Sequence, residues 1–373
     1  MKRETIPTSL ITIYILSYYL WPLDTSPKAP FYLCFGLTLV IILYFHLKPR
    51  PFYRPLIGMA LLLILYILTS TLWAQSISPI ENLLYNSKRA LEMITLILVI
   101  AGYFDAQYHK MLFKGCIILA CIHTLFLLPN HNLGVRLTNP IDTGMVYGIT
   151  AIIALFYALH EKKLAQSILF FCAFTLLLAT LFITKSRGPQ LALLCTSLLI
   201  VVFKRNSLKK MAIYTSIMSC GFLLLFYTTD IFSKIFSRGL DVSMRDIIWK
   251  EIIINGLNNF WFGIGMQKKT LIHLPNGCVF THSHNFILDT FRLTGFIGFC
   301  LIVFLYIYAL QKGLRSKHQE YQLWALILLF GGLCLMTNGS IPFNRPSHAW
   351  LAFWIPIAMI CTLPQQNIKQ PTG

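Results

Sequence analysis

Residues 281–298 read T-H-S-H-N-F-I-L-D-T-F-R-L-T-G-F-I-G. Two histidines, His282 and His284, precede Asn285 at the mouth of a long apolar run. A neutral imidazole at a membrane–water boundary can accept a proton from a hydroxyl. Gly295 and Gly298, further down the same run, allow close helix packing below it. The H-x-H pair could also ligate a metal. No cysteine cluster or paired carboxylates accompany it to complete such a site, so none is expected.

Two further elements could supply positive charge. Ser186-Arg187-Gly188 stands at the end of the seventh apolar run. An arginine at the edge of hydrocarbon is costly and usually has a partner or a function. The plain alternative is snorkelling to the interface, which the neighbouring Lys185 would share. Arg245, with Arg238 nearby, lies in the longest polar connector. Guanidinium forks grip phosphate oxygens in bidentate fashion. Here the alternative is a solvated charged face, with Asp241 and Asp246 as simple ion-pair partners.

Other chemistries are poorly served. No D-x-D, P-loop or G-x-S-x-G occurs. With only 13 acidic residues, a carboxylate-held divalent metal or a glycosidase-like carboxylate pair is hard to assemble. The net charge of +18 does not imply nucleic acid, because most cations sit in short connectors between apolar runs. The 10 cysteines include no C-x-x-C, and nine lie in or beside apolar runs, with Cys278 alone in the large loop. They read as small buried hydrophobes.

The elements that must carry these residues follow from composition. The chain is 56% hydrophobic and 12% charged, with a mean hydropathy of +0.67. A soluble domain carries about 25% charge. The excess forms runs long enough to cross a bilayer as helices. We expect an all-α polytopic membrane protein with about 12 transmembrane helices and no nucleic-acid partner. The spans fall near 8–22, 31–47, 55–74, 90–104, 111–128, 144–160, 165–183, 190–203, 211–229, 287–311, 321–337 and 347–363. The first run lacks a small-residue cleavage site and is expected to be a retained helix.

Lysine and arginine in alternate short connectors assign the cytoplasmic side and place both termini there. On the other side one connector of about 55 residues, 230–284, stands out. We read residues 1–373 as a single transmembrane domain with that loop inserted. Within it, Ile247, Ile248, Trp249, Ile252 and Leu257 can share one broad face, suggesting an interfacial helix over 244–257. W-F-G-I-G-M at 261–266 offers two glycines for a tight turn.

Taken together, these features resemble the O-antigen ligase family. The S-R-G element, R-D-I-I-W, N-N-F-W-F-G-I-G-M and H-S-H-N occur in the family's order. H-N-x9-G-x-x-G looks like its signature, at His284, Asn285, Gly295 and Gly298, and R-L-T-N-P with Arg136 is a weaker element. The resemblance implies a fold similar to the lipid-dependent C-type glycosyltransferases. It implies transfer of a glycan from undecaprenyl diphosphate to lipid A–core at the periplasmic face of the Gram-negative inner membrane, in lipopolysaccharide biosynthesis. The transfer would be inverting, metal-independent and free of cofactors. By position, Arg187 and Arg245 would hold the diphosphate, with Arg238 as the alternative loop arginine, and His284 would be the general base. Ser186, His282, Asn285, Gly295, Gly298 and Arg136 would support them.

An O-antigen polymerase shares the donor chemistry but uses a second lipid-linked glycan as acceptor; H-N-x9-G-x-x-G favours the ligase. A protein-glycosylating relative would usually carry extra C-terminal sequence. A transporter of lipid-linked glycan would use Glu92, Asp289 and Arg292 as an intramembrane pathway. No inverted repeat supports it.

Overall fold

A computed structural model describes residues 3–20, 27–75, 78–130, 140–184, 186–203, 245–267, 272–273, 277, 279–280 and 283–363. The apolar runs form α1 (Thr5–Leu20), α2 (Lys28–Tyr44), α3 (Arg54–Thr69), α4 (Pro79–Tyr103), α5 (His109–Asn130), α6 (Pro140–His160), α7 (Leu164–Ile183) and α8 (Arg187–Phe203). After the large connector come α9 (Arg245–Asn258), a two-strand hairpin of β1 (Ile272–His273) and β2 (Val279–Phe280), α10 (Phe286–Leu314), α11 (Gln319–Asn338), α12 (His348–Ala352) and α13 (Trp354–Ile360). The helical expectation holds, with the hairpin as a local addition in the loop. The expected span at 211–229 lies outside the described residues.

Among the described residues, five helices are each long and apolar enough to cross a membrane: α3 with its 3-10 extension, α6, α7, α10 and α11. The pair formed by α4 and the start of α5 passes the same test together, bent by 93°. The chain is a multi-pass membrane protein, with fewer span-length helices among the described residues than the 12 expected. Two differences have clear causes. The expected span 90–104 is the apolar second half of a 25-residue helix whose first half is polar. The expected span 347–363 is two short helices, α12 and α13, with Trp350, Trp354 and Ile355 fully enclosed. Its hydrophobicity is core rather than lipid-facing surface.

The helical body has two chemically distinct ends. At one, Arg50 pairs with Asp105 at 2.8 Å, Lys110 with Glu320 at 3.7 Å, and Lys312 covers the Tyr53 and Tyr308 rings. At the other meet the C-terminal ends of α3, α7 and α11 and the N-terminal ends of α4, α8 and α10. A strap, residues 339–347, crosses this second end between α11 and α12. It is pinned along its length. The Ile341 amide donates to Asp289 Oδ2 at 3.1 Å, Trp354 Nε1 to the Pro342 carbonyl at 2.6 Å, Trp350 Nε1 to Asn344 Oδ1 at 3.0 Å, and Tyr18 Oη to the Ser347 carbonyl at 3.1 Å.

Candidate functional site

The site begins at the first turn of α10. Asn285 is its N-cap: the side-chain oxygen accepts from the Ile287 and Leu288 amides at 3.0 and 3.2 Å. Immediately before it, His284 has φ +56°, a left-handed conformation that non-glycine residues rarely adopt. The turn is over-determined by its neighbours. Buried Ser283 accepts from the Asn285 amide at 3.0 Å and donates back to the Asn285 carbonyl at 2.6 Å. The Ser283 carbonyl in turn accepts from Trp249 Nε1 at 3.0 Å.

This backbone turns the imidazole toward the end of α11, where His284 Nδ1 meets Asn338 Oδ1 at 2.7 Å. A carboxamide oxygen can only accept. A proton on Nδ1 makes this bond, and in that tautomer Nε2 is the acceptor nitrogen. Asn338 was not among the sequence-derived candidates. It lies 54 residues away, in the unremarkable M-T-N-G at the end of an apolar run.

Arg187 is exposed at the first position of α8, and Ser186 before it is buried. Gly188 fixes where this element sits. A Cβ there would lie 2.3 Å from Thr337 Oγ1, so α8 rests directly against the residue preceding Asn338. Arg245 opens α9 and is half-buried, and desolvation pulls its guanidinium pKa downward. Among the described residues it pairs with no carboxylate, Asp246 included. One turn on, Trp249 makes the bond to Ser283, and residues four apart share a helix face. The S-R-G element and the R-D-I-I-W helix thus each reach the histidine's surroundings through one direct contact. Arg238, His282 and Arg136 lie outside the described residues.

The buried face of α9 is narrower than the expected one. Ile248 and Ile252 are fully buried and cluster with Ile272, and Gly256 lies against the Phe291 ring of α10. Ile247 and Leu257 are exposed instead. The part of the expected face that holds Ile248, Trp249 and Ile252 is the one turned to the protein.

The two glycines of the signature act differently from simple helix packing. Gly295 has φ +69° and ψ −167° and breaks α10, an arrangement open essentially to glycine alone. The break frees backbone groups in a low-dielectric setting, where each must find a partner. The 260–265 segment supplies most of them. Ile264 and Gly265 amides donate to the Arg292 and Leu293 carbonyls at 3.0 and 2.9 Å, and the Phe296 amide donates to the Phe260 carbonyl at 2.7 Å. Tyr66 Oη takes the Thr294 carbonyl at 2.9 Å. A Cβ on Gly295 would lie 2.3 Å from the Trp261 carbonyl oxygen. W-F-G-I-G is therefore a hook seated in the break. Asn82 and Ser70 hold its far end at Met266, by bonds of 3.0 and 3.2 Å. Gly298 does pack closely, with Thr294 and the Tyr66 ring against its Cα.

Asp289 and Arg292 form a buried ion pair at 2.8 Å, three residues apart on α10. With the second oxygen of Asp289 on the strap, the pair clamps α10 to residues 339–347. Among the described residues, no group of three His, Cys, Asp or Glu side chains is placed to hold a metal ion.

The comparisons with known proteins fall on this region. The family model described as O-Antigen ligase matches residues 171–303. A curated "O-antigen ligase" of Pseudomonas aeruginosa is 29% identical over 230 residues, which is 61% of this chain and 55% of that protein. The chain thus spans about half the length of the curated relative it matches. Both similarities point to O-antigen ligases, and the stretch similar to the family model contains Arg187, Arg245, His284 and Gly295.

Proposed function

We propose that the protein transfers O-polysaccharide from undecaprenyl diphosphate to lipid A–core at the periplasmic face of the inner membrane, as an inverting glycosyltransferase of C-type architecture. The observation that carries this reading is the His284–Asn338 bond, which leaves Nε2 as the basic nitrogen beside two arginine-bearing elements. His284 Nε2 takes the proton from an acceptor sugar hydroxyl. The hydroxyl oxygen attacks the anomeric carbon, and the bond from that carbon to the diphosphate oxygen breaks. The electron pair leaves with the diphosphate.

Charge develops on the leaving group, and Arg187 and Arg245 are the cations that offset it. Preorganised donors of this kind contribute about 10²–10³ in rate. Half-burial of Arg245 strengthens the effect, because a partly desolvated guanidinium is poorly screened. In this reading residues 230–284 are a periplasmic insertion in one membrane domain, the polyprenyl tail stays in lipid, and no metal or cofactor takes part.

A reconstituted assay tests the proposal, with undecaprenyl diphosphate-linked glycan as donor and core-bearing lipid A as acceptor. The native protein is expected to yield core-linked polymer, and His284→Ala none above background. Elongation of a lipid-linked glycan without attachment to the core would instead identify a polymerase. Donor moved across vesicles without any glycosidic product would identify a transporter.

A further inference from the structure

A second group of cations stands at the same end of the helical body as His284. Lys28 opens α2, Lys88 and Arg89 lie on α4, and Arg345 is on the strap. Lys28 and Tyr32 lie four residues apart on α2, and Tyr32 meets both Lys88 and Glu92 of α4. The neighbouring Phe31 ring packs 5.4 Å from the Trp350 ring, and Trp350 holds Asn344 beside Arg345. Partial burial, with Arg345, Arg89 and Lys88 nearby, pushes the Lys28 pKa downward. Glu92 is the carboxylate in their midst, and it is buried. Its Oε1 accepts from the Tyr32 hydroxyl, and among the described residues it makes no ion pair with any of the four.

Several features distinguish this group from a solvated face. Positive-inside bias would place cations at the opposite end, where the basic connectors already are. Three separate segments bring like charges together, which costs energy unless an anion joins them. The long side chains are also held. Arg89 stacks over the Tyr85 ring at 3.9 Å and donates to its hydroxyl, and Lys88 Nζ lies 5.4 Å from the centre of the Tyr32 ring. Arg345 follows Asn344, which Trp350 fixes. The strap therefore carries Arg345 at one point and begins beside Asn338, the partner of His284, at the other.

We infer that Lys28, Lys88, Arg89 and Arg345 form a second phosphate site, separate from the Arg187 and Arg245 elements, that holds the phosphorylated headgroup of the acceptor lipid. It rests on the ligase reading above for the identity of that lipid. A net excess of cations, set in aromatic rings at the depth of α4, suits phosphate groups on a membrane-embedded amphiphile rather than a soluble anion. The strap then links acceptor phosphate to the base-bearing turn and sets how far the attacking hydroxyl stands from His284.

Native mass spectrometry of the full-length protein in detergent micelles tests this directly, without catalysis. The probes are phosphorylated lipid A, the same lipid with its phosphates removed, undecaprenyl diphosphate, phosphatidylglycerol and inorganic phosphate. The variant is Lys28→Gln/Lys88→Gln/Arg345→Gln, with Lys28→Arg/Lys88→Arg/Arg345→Lys as the charge-retaining control. Binding of phosphorylated lipid A is expected to fall about tenfold or more in the glutamine variant, since charge-assisted bonds of this kind are worth that much. It should survive in the control, and undecaprenyl diphosphate should bind as before. Equal loss of undecaprenyl diphosphate would make the cluster part of the donor site and overturn the inference. So would equal binding of dephosphorylated lipid A by native protein, of phosphatidylglycerol, or competition by inorganic phosphate as effective as the lipid itself. Selective lipid A binding by a protein that transfers nothing would sink the ligase reading alone. Transfer with unchanged binding in the variant would sink this inference alone.

Discussion

His284 Nδ1 and Asn338 Oδ1 lie 2.7 Å apart, joining the first turn of α10 to the last turn of α11. The pair decides the tautomer and the orientation of the proposed base. Asn338→Leu should therefore lower kcat about 10–100-fold, the range seen when an orienting partner of a histidine is lost, with little change in KM. Asn338→Asp, whose carboxylate still accepts from Nδ1, should keep most of the activity. Steady-state transfer kinetics separate these outcomes, and a rise in KM alone would make Asn338 a substrate-binding residue instead.

Arg245→Ala should cost about 10²–10³ in kcat, as for a lost donor to developing negative charge. Arg245→Lys should recover only part of this, because an ammonium cannot grip two phosphate oxygens in one plane. An unchanged rate in the alanine variant would reassign the role to another loop cation, with Arg238 first to be tried.

Gly295→Ala should destabilise the protein by at least about 1–3 kcal/mol from backbone strain alone. The clash with the Trp261 carbonyl, 2.3 Å from the new Cβ, adds to it by pushing the hook out of the break. Gly58→Ala is the matched control, since nothing lies within 4 Å of its Cβ. Thermal unfolding in detergent should show a lowered midpoint for the first and none for the second.

Asp289→Ala leaves Arg292 buried without its counter-charge, a change that typically costs about 3–5 kcal/mol. The double change Asp289→Leu/Arg292→Met should recover much of that stability. Full transfer activity with a normal unfolding midpoint in Asp289→Ala would show that the pair is no clamp.

Transfer by the purified protein should persist after chelation of divalent ions. The expectation rests on arginine supplying the charge that a metal would otherwise bring. Loss of activity with EDTA and its return with one added cation would overturn the mechanism while leaving the binding sites intact.

Hydropathy alone made the helical, multi-pass character legible, because a run of apolar residues has few other outcomes in a bilayer. Residue chemistry and order also nominated Arg187, Arg245 and His284 as candidates. Three things needed the tertiary structure. The enclosed pair α12 and α13 looks lipid-facing in sequence, because burial in protein and burial in lipid select the same side chains. Gly295 looks like a packing glycine, because a helix break and a close helix contact both select glycine; only its +69° φ and the seated 260–265 hook tell them apart. Asn338, and the meeting of Lys28, Lys88, Arg89 and Arg345, were invisible for a simpler reason. Their partners lie far away along the chain, and distance along the chain carries no record of which helix ends pack side by side.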